Sequence, residues 1–327
     1  MSKTISLVVR CFNEEAHIGR LLAGVVQQSR RPDQIVVVDS GSTDATLAIA
    51  SALADIDVVH IRPEDFSFGR ALNVGMEVVT SDVAVLASAH VYPVYDTWLE
   101  HLVAPIEQDD SVALSYGRQV VPPDGRLSES QLLLQWFPAV STARQRHPFC
   151  NNANAAVRVD RWRENRYDED LTGLEDLAWA RLALEAGHVL SYVAEAPIVH
   201  VHDEDFSQIT NRYRREAIAH KQIFQEQRMN ALTAVRLGLV NMARDVSASR
   251  RQGGFRKHSR SILSFRAAQF LGAYQGFSQQ GPATELLRRR FYYPIEEKLL
   301  DSPADPTQPG NLIDYEASSE HDAFADA

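Results

Sequence analysis

Only two cysteines, Cys11 and Cys150, occur in the 327 residues, which excludes a disulfide-stapled scaffold. No window reaches the ~18 consecutive apolar residues that a spanning helix requires. There is no GxGxxG and no GxxxxGK[ST], so neither a dinucleotide fingerprint nor a Walker loop is supported. Met1, Ser2, Lys3 and Thr4 lead straight into a strand pattern, without the signature of a signal peptide. These absences make a cytoplasmic protein the expectation. What is present, 45% hydrophobic against 23% charged residues, suffices for a full core and excludes a disordered chain. The length suits one large domain with an appendage, or two domains.

The net charge of −10 conceals an asymmetry. Residues 1–209 carry 16 Lys and Arg against 30 Asp and Glu, whereas residues 210–266 carry 13 against 3. An acidic body argues against nucleic acid as a partner, because phosphate contacts need clustered cations. The basic stretch includes Arg212, Arg214, Arg215, Arg250, Arg251, Arg256, Lys257 and Arg260 among apolar residues. Such a stretch can lie on an anionic membrane surface, hold a polyanionic acceptor, or pair as a solvated helical face with the acidic body. Residues 301–327 hold seven acids, several prolines and no Lys or Arg, the composition of a disordered tail. The expected division is a main domain over 1–209, a basic helical appendage over 210–300 and the tail over 301–327.

Ile5–Val9 is a short apolar run of the kind a buried parallel strand shows. Asn13 is suited to cap a helix with Glu14 and Glu15 in its first turn and Ile18, Leu21, Leu22, Val25 and Val26 on its apolar face. A second β-branched run, Ile35–Val38, precedes a helix capped from Ser42 to Asp44, whose inward face is expected at Ala45, Ala48, Ile49, Ala52 and Leu53. Strands at 57–61 and 83–86 bracket a helix over 71–79. This alternation predicts an α/β fold with a mostly parallel sheet flanked by helices. Such a sheet binds ligands beyond the carboxyl ends of its strands. Arg10 to Asn13, Asp39 to Gly41, and Ser88 to His90 fall there. Turn chemistry and a helix cap by themselves account for Ser42 and Asp44.

Taken together, these segments resemble the family 2 glycosyltransferases, inverting enzymes of the GT-A fold that use nucleotide sugars. The resemblance lies in Val8-Val-Arg-Cys-Phe-Asn-Glu14, Val36-Val-Val-Asp-Ser-Gly-Ser-Thr-Asp44, Phe68-Gly-Arg-Ala-Leu-Asn-Val-Gly75, Leu171-Thr-Gly-Leu-Glu-Asp-Leu177 and Pro197-Ile-Val-His-Val-His202. It covers about residues 4–220, and within the family the pattern is most similar to bacterial rhamnosyltransferase-type members. The resemblance implies a nucleoside-diphosphate sugar as donor and a glycan, lipid-linked or small-molecule hydroxyl as acceptor, in surface polysaccharide or glycoconjugate synthesis. It implies catalysis by Asp176 beside Glu175, and donor contacts among Arg10, Asn13, Glu14, Asp39, Ser40, Arg70, Asn73, Ser88, Asn151 and Asn152.

One departure bears on the metal. Ser88-Ala89-His90 stands where the family has Asp-x-Asp, whose last carboxylate holds a divalent ion. A Mn or Mg ion would then need His90 as an imidazole ligand, with His200 or His202 completing the site. Alternatively, Arg10, Arg70 and Arg118 offset the diphosphate charge without a metal. Trp136 and Phe137 are candidates to stack on a sugar, although aromatics at such spacing also fill cores. Cys150 is read as a small buried thiol. Two further readings stay open, a sugar nucleotidyltransferase and a non-catalytic nucleotide-binding relative. The first lacks its Gly-rich loop after strand one, and retention of Glu175-Asp176 weighs against the second.

Overall fold

The computed structural model describes residues 3–226, 228–278, 302–303 and 310–315. Its first half is the repeating unit β1 (Ile5–Cys11), α1 (Ile18–Val26), β2 (Gln34–Asp39), α2 (Thr46–Leu53), β3 (Asp57–His60), α3 (Phe68–Glu77) and β4 (Val83–Ser88). After it come β5 (Val91–Pro93), α4 (Trp98–Gln108), β6 (Val112–Val120), α5 (Leu127–Trp136), β7 (Thr142–Gln145), β8 (Asn154–Arg158), α6 (Val159–Glu164), α7 (Glu175–Glu185) and β9 (Val189–His200). Three long helices follow, α8 (Phe206–Ile223), α9 (Ala231–Arg251) and α10 (Phe255–Ser278), and then the two-residue β10 (Ser302–Pro303).

All the strands share one sheet in the order β10-β7-β9-β6-β8-β4-β1-β2-β3, with β5 paired to β9. The parallel character is complete across β4-β1-β2-β3, while β8 enters antiparallel to both β4 and β6. β1 is buried on both faces along Ile5–Val9, where Ser6 is the one polar residue and bonds Gln34 and Ser81. Val8 faces a core with Val36, Val38 and Leu86, covered by Leu72 and Met76 of α3 and Trp179 of α7. Leu7 and Val9 face the opposite core, closed by Leu21 and Leu22 of α1 and Trp98 and Leu102 of α4.

The helices after β9 form a third core with α5, from Leu132, Ile209, Tyr213, Phe265, Phe270 and Phe277. α8 starts at Phe206 because Asp205 accepts the amide of Gln208 at 2.8 Å and Gln208 returns the bond, a reciprocal cap. Gly272 and Gly276 let α10 lie directly on α8, since a Cβ at either would strike the backbone oxygens of Thr210 or Arg214. Gly253, at φ +70°, makes the turn between α9 and α10. No helix among the described residues is long and apolar enough to cross a membrane.

Several local expectations change. Asn13 does not cap α1, which begins five residues later; it sits in a left-handed conformation and bonds across to the next loop. The inner face of α2 is Thr46, Leu47, Ile49, Ala50 and Leu53, whereas Ala45, Ala48 and Ala52 are exposed. α3 starts at Phe68, capped by Ser67. Phe137 is buried and Trp136 packs against the same cluster, so both serve the core. Part of the stretch expected to be disordered is docked: Asn311 bonds Asp96, the Ile313 amide bonds the Val94 oxygen at 3.1 Å, and the Tyr315 hydroxyl donates to Pro93 O at 2.6 Å. The remainder of that tail, and residues 279–300 of the expected helical appendage, lie outside the described residues.

Candidate active site

The carboxyl ends of β1, β2 and β4 lie side by side, with Cys11 in register with Asp39 and Arg10 in register with Ser88. The loops after β1 and β2 are laced together. Asn13 Oδ1 accepts from the Thr43 amide at 2.8 Å, the Asn13 amide donates to Ser42 Oγ at 2.9 Å, and the Glu14 amide donates to Thr46 Oγ1 at 2.7 Å. Asp39 is buried and takes the amides of Gly41 and Ser42, each at 3.1 Å, with His60 Nδ1 3.4 Å away. Burial pushes its carboxyl up, but the bonds from Ser42, Gly41 and His60 outweigh this and hold it below the usual carboxylate value. Two accepted amides leave a carboxylate with lone pairs to spare. Ser40 is buried, and its amide bonds Cys11 O at 3.1 Å.

The second group sits at the start of α7. Leu174, at φ 58°, turns the chain so that the buried carboxylates of Glu175 and Asp176 open the helix. A leucine in that region costs on the order of 1–3 kcal/mol, and among the described non-glycine residues only Asn13 shares a positive φ. Both strained residues therefore adjoin this crevice. Arg10 connects its two sides: Nη1 lies 3.3 Å from Glu175 Oε1 and 3.4 Å from Phe68 O. Asp176 accepts the Leu177 amide on Oδ1 at 2.7 Å and the Asn152 amide on Oδ2 at 3.3 Å. The Asn152 side chain is buried, and neither of its polar atoms has a partner. Asn151 Oδ1 takes the Ala153 amide at 2.9 Å. Arg70 lies 3.5 Å from Glu169.

Asn73, expected among the donor contacts, is instead a brace. Its nitrogen donates to Tyr167 O and Glu169 Oε1, and its oxygen accepts from Trp162 Nε1 and the Tyr167 amide, at 2.8–3.0 Å. The amide's bonding capacity is spent on fixing the segment before α7.

The third group is a histidine cluster. Nitrogens of His90, His200 and His202 all lie within 4.8 Å of one another, and the rings of His200 and His202 are 4.0 Å apart. Each Nδ1 faces an oxygen from a different element. His90 meets Glu14 Oε1 at 2.7 Å, His200 meets Gln119 Oε1 of β6 at 2.7 Å, and His202 meets Glu129 Oε1 of α5 at 2.6 Å. The Nδ1 hydrogen bonds of His90 and His200 fix those rings and leave Nε2 for a ligand, whereas His202 Nδ1 lies beside Glu129 without a hydrogen bond. His200 Nε2 is buried with no partner. Burial first pushes His200 and His202 well below the usual imidazole value, followed at His200 by His202, His90 and Arg212 and at His202 by Arg212, His90 and Arg126. They are thus neutral at pH 7, as metal ligands must be. The three residues fit a divalent cation. The all-imidazole donor set favours Zn²⁺, Co²⁺ or Fe²⁺, suits Mn²⁺ less well, and suits Mg²⁺ poorly.

Residues 6–166 match glycosyl transferase family 2. The chain belongs to that family. It is 25% identical over 227 residues to the O-antigen chain rhamnosyltransferase RfbN of Salmonella typhimurium, spanning 66% of this chain and 72% of the relative. It is likewise 25% identical over 205 residues to the O-antigen chain rhamnosyltransferase WbaN of Salmonella anatum, 59% of this chain and 64% of that one. Among solved structures, the mannosyltransferase PcManGT from Pyrobaculum calidifontis, determined with GDP-Man and Mn²⁺, matches with a TM-score of 0.60 at 17% identity over 86% of this chain and 88% of its own. That likeness is one of fold, and it places this glycosyltransferase among the GT-A architectures.

Supporting residues of this glycosyltransferase escaped the sequence reading. Gln119 orients His200 from β6 and Glu129 stands beside His202 from α5, each about 70–80 residues upstream at no recognisable spacing. Arg212, read as part of a basic surface, is instead inside the protein, 2.6 Å from Glu204 and 3.5 Å from Glu129. Burial pushes the Glu129 carboxyl up, and Arg212 and Arg126 oppose that shift. The α8 helix is thereby tied to the back of the histidine cluster.

Proposed function

We propose that the chain is an inverting glycosyltransferase that moves a sugar, rhamnose or a related deoxyhexose, from a nucleoside diphosphate to an acceptor hydroxyl in surface-polysaccharide synthesis. The observation that carries this reading is the meeting of Asp39, Glu175-Asp176 and the His90–His200–His202 cluster around one end of one sheet, with Arg10 joining the end of β1 to Glu175. Asp39 and Ser40 receive the nucleoside, and the Asn13–Glu14 loop closes one side of its seat. Asn151 and Asn152 line the sugar; the unpartnered Asn152 amide is available to a hydroxyl.

Asp176 is the general base. It accepts the acceptor hydroxyl's proton as the oxygen attacks the anomeric carbon, and the diphosphate departs with the electron pair of the breaking C–O bond. Its carboxylate accepts the amides of Leu177 and Asn152, and Arg10 pairs with the adjacent Glu175 at 3.3 Å. His90, His200 and His202 would hold a divalent cation, which would supply charge neutralisation for a departing diphosphate. Arg10 and Arg70 already face carboxylates, which favours this arrangement over an arginine-only site.

The test is Asp176→Asn assayed with a panel of nucleotide sugars. Transfer is expected to fall by about 10²–10⁴-fold while nucleotide-induced thermal stabilisation persists. Undiminished turnover would remove Asp176 from its role. The rival reading as a nucleotide-binding relative without turnover predicts stabilisation with no diphosphate release in the unaltered protein.

A further inference from the structure

We propose that the α9–α10 hairpin is a docking surface for an anionic lipid bilayer, on which the protein lies by a leucine ridge set among cations. On α9, Leu232, Val235 and Leu239 follow the i, i+3, i+7 spacing that puts them on one line of a helix. They are 77%, 59% and 61% exposed, although the opposite face of the same helix (Ala234, Gly238, Asn241, Asp245, Ala248) is buried. The helix has therefore already used one face for packing, and the apolar line is a second one with no cover among the described residues. The line continues through Ala243 and Ser247 to Arg250, where the surface becomes basic. Arg250, Arg251, Arg256, Lys257 and Arg260 are all exposed around the turn at Gly253.

The charge balance of this hairpin is one-sided. Residues 228–278 contain nine Lys and Arg and a single acid, Asp245. That acid is buried in an ion pair with Arg266, both side chains being 1% exposed. Subtracting the pair leaves eight cations and no acid. A nucleic acid would use the cations but gain nothing from Leu232 and Leu239. The headgroup region of an anionic bilayer takes both, the arginines at the phosphates and the leucines at the acyl boundary. With no spanning helix among the described residues, the hairpin lies on the bilayer rather than across it. This inference stands independently of the reaction assigned above.

The experiment uses the full chain, co-sedimented with vesicles of phosphatidylcholine alone or mixed equally with phosphatidylglycerol. Pelleting is expected only with the anionic vesicles, and it should weaken roughly tenfold between ~0.05 and ~0.5 M salt as screening shortens. Replacing the ridge (Leu232→Ser, Val235→Ser and Leu239→Ser together) retains every charge and should reduce binding by about tenfold or more. Replacing Arg250, Arg251, Arg256 and Lys257 with serine should abolish the anionic preference. Circular dichroism and thermal unfolding verify that the variants keep the fold, as exposed side chains permit. Equal pelleting with both vesicle types would overturn the proposal. So would a ridge variant that binds as the parent does, or binding to single-stranded RNA that matches the vesicles and ignores the ridge.

Discussion

Arg10 Nη1 stands 3.3 Å from Glu175 Oε1, joining the end of β1 to the start of α7 with side chains only 15% and 6% exposed. An ion pair so enclosed costs far more to break than to replace, because removal of one partner leaves the other buried and charged. Arg10→Ala should lower the unfolding free energy by about 3–5 kcal/mol, measured by denaturant titration. The paired replacement Arg10→Met with Glu175→Gln should restore most of that stability without restoring transfer. A single variant within about 1 kcal/mol of the parent would show that the pair does not hold the crevice together.

Much of this architecture is legible in the sequence, for a physical reason. Strands buried on both faces must be continuously apolar, so Ile35–Val38 and Val83–Leu86 announce β2 and β4, and their polar followers mark the ligand edge. The inner face of α2 misled because alanine is small enough to be placed on either side; Ala45, Ala48 and Ala52 carry little information about burial. The tail misled because proline and acids dominate its composition, whereas Asn311, Leu312 and Tyr315 make its contacts. His90, His200 and His202 could be suspected only through the family resemblance. The oxygens of Glu14, Gln119 and Glu129 beside them come from three separate segments, and no spacing rule brings those together.

The pairing of His90 with Glu14 makes the metal preference adjustable in a specific way. Restoring the family's carboxylate by His90→Asp alone would set it against Glu14 Oε1, which now lies 2.7 Å from the His90 ring. Two carboxylates at that approach repel each other until a cation sits between them, so the single variant should bind Mn²⁺ and Mg²⁺ more tightly relative to Zn²⁺ than the parent. Adding Glu14→Gln removes one negative charge and should lower the affinity for every ion. The double variant should still bind Mn²⁺ and Mg²⁺ better relative to Zn²⁺ than the parent does, because an oxygen donor has replaced a nitrogen. Isothermal titration of metal-stripped protein with each ion reads this without reference to turnover. An unchanged order of affinities in both variants would take His90 out of the ligand set.

Cys11 offers a pH signature beside Asp39, at the end of β1. Burial, followed by the neighbouring Asp39 carboxylate, pushes its thiol from 9.0 up to about 12. Below pH 9 both folded and unfolded chains keep the proton, and the group does not affect stability. Between about pH 9 and 12 the unfolded chain releases the proton while the folded one retains it, so stability falls as pH rises, by up to ~1.4 kcal/mol per pH unit. Cys11→Ala should flatten this part of the stability profile relative to the parent, whatever the buried tyrosines contribute to both. In the same conditions the native thiol should resist iodoacetamide at pH 8 and react once the protein is unfolded. Rapid native alkylation of Cys11 would contradict its enclosure.

The C-terminal helices are fastened to the rest of the protein through an enclosed charge pair. Asp245 of α9 accepts from Arg266 Nε at 2.7 Å and Nη2 at 3.0 Å, and it also accepts from Ser128 Oγ of α5 at 2.6 Å. Arg266 in turn reaches Ser128 O at 3.3 Å and Gln269 Oε1 at 2.7 Å. One enclosed charge pair thus engages α5, α9 and α10, and α5 also carries Glu129 behind His202. Asp245→Asn keeps the shape but leaves the guanidinium without its countercharge, and should destabilise the protein by about 3–5 kcal/mol. Because α5 links the two regions, the loss should extend beyond the hairpin to the histidine cluster. Hydrogen exchange should rise in α9, α10 and α5 together, and metal-induced stabilisation should diminish. Exchange confined to α9 and α10, with metal binding intact, would show that the helices are attached without being coupled to the site.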